Sequence, residues 1–322
     1  MTEGIRLSEE IAAALASGAP VVGLETSVIG QGLPHPRNVE CIDRMTGAIR
    51  EAGAIPAWVA VLDGEVVVGL TEPELEMFTE PGRAEKLARR DLPAACAAGG
   101  LGATTVSATI WAAARAGIAV CATGGIGGVH RGALRANTPE TAPTDDVSAD
   151  LVELSRTPGL LVCSGPKSIV DPAATAERLE ELGVSLLGYG VDRLPFFLAR
   201  EAPIELEHRV DTPADAATAL DAALALDTRS MLLLCNPIQP DLAMDADEIA
   251  AAAARCQEHA DHEGVRGRDL TPFLLSCLAE ETGGRSLEAN LALLEANARL
   301  AAEVAVAHAA TRADPATGAR SG

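Results

Sequence analysis

Apolar positions along the chain follow two alternating patterns. Short continuous apolar runs, such as residues 231–238, have the length of buried strands, whereas longer segments with periodic apolar residues, such as 212–226, have the length of helices. Glycines punctuate the ends of several helical segments, as at Gly53 and Gly183. The alternation predicts a three-layer α/β/α fold with a mostly parallel central sheet and helices on both faces.

The predicted elements cover nearly the whole chain. Predicted strands lie at 21–24, 57–62, 65–70, 118–123, 160–163, 184–189 and 231–238. Predicted helices lie at 6–17, 36–51, 146–154, 171–182, 212–226, 245–263, 271–281 and 284–305, and a small-residue loop from 101 leads into a further helix before Gly117. Asp63-Gly64, between two of the strands, is a strong signal for a type I′ hairpin. We expect a single domain over 1–308 and a disordered tail over 309–322.

Composition excludes several classes of function. The 322-residue chain is 48% hydrophobic and 2% aromatic, so the core should be aliphatic. Its formal net charge of −21 argues against binding to nucleic acid or to a membrane surface, because both need a basic face. The seven cysteines include no CxxC pair, which favours a reduced, cytoplasmic protein over a disulfide framework or a zinc site. We find no signal-peptide pattern and no apolar run of transmembrane length.

Lysine is the scarcest charged residue and therefore the first candidate for chemistry. The chain has 23 arginines but two lysines, Lys86 and Lys167. Arginine does not lose its proton in proteins, whereas a lysine whose pKa is lowered by burial or by a nearby cation can act as a base or a Schiff-base nucleophile. Lys167 comes just after a predicted strand, at the edge where parallel sheets bind ligands. This location favours an active-site role over that of an ordinary surface lysine.

Other candidate side chains lie close to predicted strand ends and helix starts. Glu25 follows the first predicted strand and is either a capping or salt-bridged residue or a catalytic acid–base. The segment 82–93 is the one basic cluster, and it is either a solvated helix face or an anion site. Small and hydroxyl residues over 101–107 could bind a phosphate through helix-start amides, or could only cap a helix.

The glycine-rich segment 124–132 lets the backbone approach a ligand closely. It is not the GxGxxG motif of dinucleotide-binding folds, so a nucleotide cofactor is rejected. His130 and Arg131 at its end could bind an anion or could simply be exposed. Asp146 and Asp150 could hold a hard divalent ion, usually through waters, although Asp146 could equally cap a helix.

Two amides interrupt the apolar pattern of the last helix. Asn290 and Asn297 are seven residues apart and so lie roughly on one face. A buried amide usually recognises a polar partner, whereas an exposed one carries no information about function.

An ordered set of motifs over about residues 7–305 resembles the pseudouridine-5′-phosphate glycosidase family, also called the indigoidine synthase A-like family. The motifs are ETSVIGQGLPHPRN, KLARRDLP, GATTVSAT, TGGIGGVHRG, DVSADLVEL, SGPKSIVD, NPI, TPFLL and GRSLEANLALLEANA. The resemblance implies an enzyme of nucleoside catabolism that reversibly cleaves the C–C glycosidic bond of pseudouridine 5′-phosphate to uracil and ribose 5-phosphate. It implies a homotrimer with one Mn²⁺ per subunit, whose partners are these small molecules rather than nucleic acid or membranes.

The resemblance also implies residue roles. It puts the proton donor at Glu25, the imine-forming nucleophile at Lys167 and the metal ligand at Asp146. Substrate contacts fall on Lys86, Val106, Ser148, Ala149, Asp150 and, toward the base, Asn290, and we add His130 as a candidate anion contact. Two departures from the family pattern are Pro166, where a small aliphatic residue is usual, and a longer loop at 133–145.

Two other functions fit the same residues. Another lysine-imine enzyme, similar to an aldolase, would act on a sugar phosphate and turn over without uracil. A non-catalytic nucleotide-binding protein would be free to lose Glu25, Lys167 and Asp146, and the presence of all three counts against it.

Overall fold

A computed structural model describes residues 4–130, 146–265 and 267–313. The strands in these ranges are β1 (Ile5–Leu7), β2 (Val21–Glu25), β3 (Ile55–Leu62), β4 (Glu65–Val68), β5 (Glu85–Leu87), β6 (Leu101–Thr104), β7 (Val120–Ala122), β8 (Val129–His130), β9 (Gly159–Cys163), β10 (Val170–Asp171), β11 (Leu186–Tyr189), β12 (His208–Val210) and β13 (Met231–Cys235). Eleven of them form one sheet, and β8 and β10 form a separate antiparallel pair.

The large sheet has the strand order β1-β4-β3-β2-β7-β9-β13-β11-β12, with β6 paired to β3 and β5 paired to β6. In the part of the chain that the structure describes, β3 is antiparallel to β4 and to β6, and every other pair in this sheet is parallel. The central strands are buried along their whole length, as expected for a parallel sheet covered on both faces. The predicted fold class is confirmed.

Helices connect the parallel strands and cover both faces of the sheet. They are α1 (Glu9–Ser17), α2 (Arg37–Glu51), α3 (Glu72–Glu76), α4 (Leu92–Ala98), α5 (Val106–Ala116), α6 (Ala149–Leu154), α7 (Pro172–Glu181), α8 (Pro213–Ala225), α9 (Ala246–Glu263), α10 (Leu270–Glu281) and α11 (Arg285–Ala313). None of these helices, over the described ranges, combines the length and apolarity that crossing a membrane needs.

Alternation along the strands divides the core into two layers. In β9, Leu160 and Val162 pack in one cluster with α2, α8 and α11, whereas Leu161 and Cys163 pack in the other with α1, α5, α6 and α7. Successive side chains of a strand point to opposite faces, so one continuous apolar run supplies both layers. This is why the strands read as unbroken hydrophobic stretches in the sequence.

The predicted hairpin is also confirmed. Asp63 has φ 52° and Gly64 has φ 85°, so both central residues of the turn have the positive φ that a type I′ turn requires. The turn joins the antiparallel strands β3 and β4, with Leu62 opposite Glu65.

Three local predictions are wrong. The helix predicted over 6–17 begins only after Ser8, because Ile5–Leu7 adds to the sheet edge in parallel with β4. The segment Leu101–Thr104, predicted as a loop, is a strand that bridges β3 and β5. The last helix, predicted to end at 305, continues through the predicted start of the tail to Ala313, and residues 314–322 lie outside the described ranges.

The cysteine prediction needs a correction as well. Cys256 and Cys277 form a disulfide that joins α9 to α10, whereas Cys41, Cys96, Cys121, Cys163 and Cys235 are free. The two bonded residues are 21 positions apart, and the pairing of the two helices brings their Cα atoms to 5.7 Å, a normal distance for a disulfide. Sequence spacing alone does not reveal this contact.

Candidate active site

Three neighbouring parallel strands, β2, β7 and β9, carry the candidate site at their carboxyl ends. Glu25 is the last residue of β2, Thr123 follows β7, and Ser164 follows β9. The loops after these strands, with parts of α5, α6, α10 and α11, surround one cleft. This is the edge at which parallel sheets bind their ligands.

All ten residues predicted from the sequence line this cleft. They are Glu25, Lys86, Val106, His130, Asp146, Ser148, Ala149, Asp150, Lys167 and Asn290. The fold therefore collects into one place side chains that the sequence distributes from the first parallel strand to the last helix.

Two hydroxyl groups hold the carboxylate of Glu25. Ser27 Oγ donates a hydrogen bond to Oε2 at 2.6 Å, and Thr123 Oγ1 donates one to Oε1. The Glu25 side chain is buried, with 5% of the residue exposed. Each carboxylate oxygen can accept more than one hydrogen bond, so these contacts orient Glu25 and leave capacity for a substrate proton. Because its partners are hydroxyls rather than a cation or a helix start, the acid–base interpretation is favoured.

The backbone around Lys167 is fixed by the loop after β7. Lys167 N donates to Ile126 O at 3.0 Å, and Ile126 N donates to Gly165 O at 3.1 Å. Pro166, which has no N–H, lies opposite Ile126 in this bridge, where no donor is used. Gly165 has φ 80°, and a Cβ there would lie 1.9 Å from Pro195 O. The unusual proline is therefore compatible with a well-defined backbone at Lys167.

Lys86, the central residue of β5, shares the cleft with Lys167. Burial, and after it the positive charge of Lys167, lowers the pKa of Lys86 to about 8, against the opposing carboxylates of Asp150, Glu25 and Asp269. The two lysines are therefore close enough for the charge of Lys167 to act on Lys86. The basic segment 82–93 is neither one helix nor simply a solvated face, because its lysine faces the site.

The glycine-rich loop after β7 packs closely against its neighbours. A Cβ at Gly127 would lie 2.3 Å from Ser148 Oγ, and one at Gly125 would lie 2.7 Å from the Phe197 ring. Glycine is required at both positions because any side chain would push the loop away from the Lys167 segment or from the start of α6. Arg131, the other predicted anion contact, lies outside the described residues.

Asp150 joins three parts of the cleft wall. Its Oδ1 accepts from Ser107 N in α5 and its Oδ2 accepts from Gly127 N in the glycine loop, both at 3.0 Å. Ser148 Oγ accepts from Asp150 N at 3.2 Å and caps α6, so Ser148 rather than Asp146 is the helix cap. With a backbone amide on each carboxylate oxygen, Asp150 shapes the cleft and holds its loops together.

His130 and Asp146 lie side by side at the cleft. His130 N donates to the backbone oxygen of Asp146 at 3.0 Å. Burial lowers the pKa of His130, and the charges of Lys86 and Lys167 act in the same direction, whereas Asp146 opposes them. The Nδ1 atom of His130 is buried and has no hydrogen-bond partner among the described residues. A phosphate or hydroxyl of a ligand could supply that partner.

The donor set around Asp146 fits one kind of metal ion. Within the described ranges, no three His, Cys, Asp or Glu side chains are grouped so that they could hold a metal together. Asp146 offers one carboxylate to the cleft. A single carboxylate fits a hard divalent ion that keeps water and substrate oxygens as its other ligands, and it does not fit a structural zinc site.

The two asparagines of α11 have different roles. Asn297 is fully buried. Its Nδ2 donates to Thr123 O at 2.9 Å, to Gly124 O at 3.2 Å and to Ser164 Oγ at 3.1 Å. Its Oδ1 accepts from Asn236 Nδ2 at 3.0 Å. It therefore ties together the ends of β7, β9 and β13. Asn290 instead lines the cleft, where its amide is available to a ligand.

Among the polar residues of the cleft that sequence reasoning did not single out are Ser27, Thr123 and Gln31. Ser27 and Thr123 each follow a strand end, which is the one signal that could have marked them. Gln31 Nε2 donates to Ala84 O at 2.9 Å, and its Oε1 is buried without a partner in the described part of the chain. Nothing in its sequence position distinguishes it from an ordinary loop glutamine.

Comparison with known proteins decides the family. Residues 10–307 match the family model described as "Indigoidine synthase A like protein". The chain belongs to this family. Its relatives include a protein named pseudouridine-5′-phosphate glycosidase from Hahella chejuensis, 43% identical over 309 residues that span 96% of this chain and 99% of the relative. One of the same name from Herpetosiphon aurantiacus is 46% identical over 301 residues, or 94% and 97% of the two chains.

Two solved structures share the fold. The prealnumycin C-glycosynthase AlnA, in complex with ribulose 5-phosphate, is 39% identical with a TM-score of 0.86, covering 96% of this chain and 98% of its own. An indigoidine synthase A-like protein from Thermotoga maritima is 37% identical with a TM-score of 0.83, covering 94% and 95%. This chain therefore resembles both proteins in sequence as well as in fold.

Proposed function

We propose that this family member is a pseudouridine-5′-phosphate glycosidase, which reversibly cleaves the C–C bond between uracil C5 and ribose C1′. The observation that carries the proposal is that Glu25, at the end of β2, and Lys167, in the loop after β9, line one cleft, with β7 lying between the two strands. Relatives 43–46% identical over nearly the full chain carry that enzyme name. Breaking or forming this bond requires a nucleophilic lysine and an acid–base carboxylate, and this cleft contains both.

The bond explains the need for a lysine. Ordinary glycosidases expel a heteroatom through an oxocarbenium-like transition state with two carboxylates. In pseudouridine 5′-phosphate the leaving atom is carbon, which is harder to protonate than oxygen. A lysine that forms an imine at C1′ provides an electron sink, so that the C–C bond breaks or forms as in an aldolase.

In the direction of synthesis, Nζ of Lys167 adds to the C1′ aldehyde of open-chain ribose 5-phosphate, and water leaves to give the imine. Uracil C5 then bonds to C1′ while the imine nitrogen takes the electron pair, and Glu25 removes the proton from C5. The 4′-hydroxyl oxygen bonds to C1′ as the C1′–N bond breaks, and the hydroxyl proton passes to the departing amine of Lys167, which closes the ribose ring. Cleavage is the reverse sequence, with Glu25 returning the proton to C5.

Three features of the cleft suit a phosphate. Lys86 contributes the positive charge, His130 offers a buried nitrogen without a described partner, and Val106 begins α5, whose amino-terminal end carries partial positive charge.

A manganese ion, one per subunit, is part of the proposal. Asp146 would hold it directly, and the ion would orient sugar and phosphate oxygens. From the family resemblance we also propose a homotrimer in the cytoplasm, to be tested by sedimentation and by fractionation of cells.

The deciding experiment is incubation of the protein with uracil, ribose 5-phosphate and Mn²⁺, with the product followed by chromatography and mass spectrometry. We expect pseudouridine 5′-phosphate. An aldolase-like enzyme would consume a sugar phosphate without uracil, and a binding protein would form no product, so the three functions give three different results.

Removal of the metal should abolish turnover, and added Mn²⁺ should restore it. Asp146→Ala should lose most activity while staying folded, because it removes the carboxylate that would bind the ion. Mn²⁺ binding can be followed separately through the electron paramagnetic resonance signal of free Mn²⁺. Asp247→Ala, which changes an exposed aspartate outside the cleft, is the matched control. Full activity in excess chelator would contradict the metal proposal.

Lys86→Ala should raise KM for ribose 5-phosphate about 10- to 100-fold, the loss expected for one charge-assisted contact, with a smaller effect on kcat. Unphosphorylated ribose should be a poor substrate of the wild type for the same reason. Lys86→Arg keeps the positive charge and serves as the control. An unchanged KM in Lys86→Ala would move the phosphate site to His130 and Arg131.

A further inference from the structure

Gln31 lies in a short π-helix, Val28–Gly32, that follows Glu25 and lines the cleft. Its Nε2 donates to Ala84 O at 2.9 Å, which fixes the orientation of the amide. Rotating the amide would place an oxygen against the carbonyl of Ala84 and lose that bond. The Oε1 atom must therefore remain a hydrogen-bond acceptor turned away from Ala84.

This acceptor is buried and no described residue donates to it. A buried polar atom without a partner is unfavourable, and in native proteins such an atom usually has a water or ligand partner. Gln31 lines the cleft, so a ligand bound there would be the source of the missing donor. The Oε1 atom of Gln257 is likewise buried without a partner, but Gln257 does not line the cleft, so burial alone does not make a ligand site.

The surroundings of Gln31 suit a flat heterocycle. Val28, Leu275 and Leu294 give this cleft apolar contacts, and Asn290 adds a second amide. Gln31 follows Glu25 by six residues, and in the proposed reaction the base must lie against Glu25 for the proton at C5 to be transferred. A ring held in this way presents its N–H groups and carbonyl oxygens to the walls of the cleft.

We propose that Gln31 Oε1 accepts a hydrogen bond from a ring N–H of uracil and so selects a base that carries that N–H. The proposal rests on the proposed function and assigns to it a specificity residue. As a group that can only accept at this atom, Gln31 rejects a ring whose corresponding nitrogen is alkylated, because the methyl group removes the donor. Asn290, with donor and acceptor both available, is suited to the adjacent carbonyl and N–H.

The test compares the wild type, Gln31→Met and the control Gln257→Met with uracil, N1-methyluracil and N3-methyluracil. Gln31→Met should raise KM for uracil roughly tenfold, the effect of one lost hydrogen bond in a buried site, and leave KM for ribose 5-phosphate unchanged. The wild type should discriminate against one of the two methyluracils, and Gln31→Met should lose most of that discrimination. Gln257→Met should behave as the wild type.

Folding and lysine chemistry are checked separately through borohydride trapping of ribose 5-phosphate, which needs no uracil and should be unchanged in Gln31→Met. An unchanged uracil KM in Gln31→Met, or equal discrimination in both proteins, would overturn the proposal. If the wild type forms no pseudouridine 5′-phosphate, the proposed function fails. Equilibrium dialysis of uracil against the wild type and Gln31→Met then tests Gln31 directly, and equal affinities would overturn its role.

Discussion

Lys167→Arg should abolish both turnover and covalent capture of the sugar. Borohydride added with ribose 5-phosphate should reduce the imine of the wild type and add one sugar-phosphate mass, which maps to the peptide that contains Lys167. The arginine variant keeps the charge and much of the packing, but its guanidinium cannot form the imine. We expect the rate to fall at least about 1000-fold, as when other enzymes lose a covalent nucleophile.

Lys86→Arg is the matched control for this experiment, because it makes the same exchange at the other lysine of the chain. It should still form the adduct at Lys167. Turnover of Lys167→Arg near the wild-type rate would contradict the covalent mechanism and leave Lys167 an electrostatic role. An adduct that maps to Lys86 would exchange the proposed roles of the two lysines.

Lys167 could be found in the sequence because several independent signals coincide there. Lysine is rare in this chain, the preceding run has the length and apolarity of a buried strand, and Ser164-Gly165 ends it. A parallel sheet then places the next residues at the ligand-binding edge. The structure bears out the strand, its parallel neighbours and the cleft.

Roles that depend on contacts between distant segments could not be predicted. Asp150 looks like a metal or substrate ligand in the sequence, and in the fold its carboxylate also accepts backbone amides from two other segments, which the sequence does not reveal. Asn290 and Asn297 look alike in the sequence, as amides seven residues apart on the same helix. Among the described residues, it is Asn297 that donates hydrogen bonds to the strand ends. The Cys256–Cys277 contact likewise arises from the pairing of two helices. Each of these depends on which segments become neighbours, and local pattern does not encode that.

The edge strands were missed for a related reason. β1, β5 and β12 have three residues each, which is too short for alternation of apolar and polar positions to be recognised. Their pairing partners, rather than their own composition, make them strands. For this reason the sequence shows Lys86 only as part of a basic segment. In the structure it is the central residue of β5, and this strand places its side chain at the cleft.

Glu25→Gln should separate the two halves of the proposed reaction. The amide is nearly isosteric, but it cannot take the proton from uracil C5, and general acid–base groups typically contribute about 10²- to 10⁴-fold to the rate. Synthesis of pseudouridine 5′-phosphate should fall by that order. The borohydride adduct of ribose 5-phosphate at Lys167 should persist, because imine formation precedes the proton transfer at C5.

The readout specific to Glu25 is exchange of the uracil C5 hydrogen with deuterium from D₂O, followed by NMR in the presence of ribose 5-phosphate. Reversal of bond formation returns a solvent-derived proton to C5 in the wild type, so exchange should be fast there and absent in Glu25→Gln. Thr123→Val removes one of the two hydroxyls that hold Glu25 and should slow exchange without abolishing it, because Ser27 still orients the carboxylate. Wild-type exchange in Glu25→Gln would show that another group moves the proton, and His130, which also lines the cleft, would be the next residue to test.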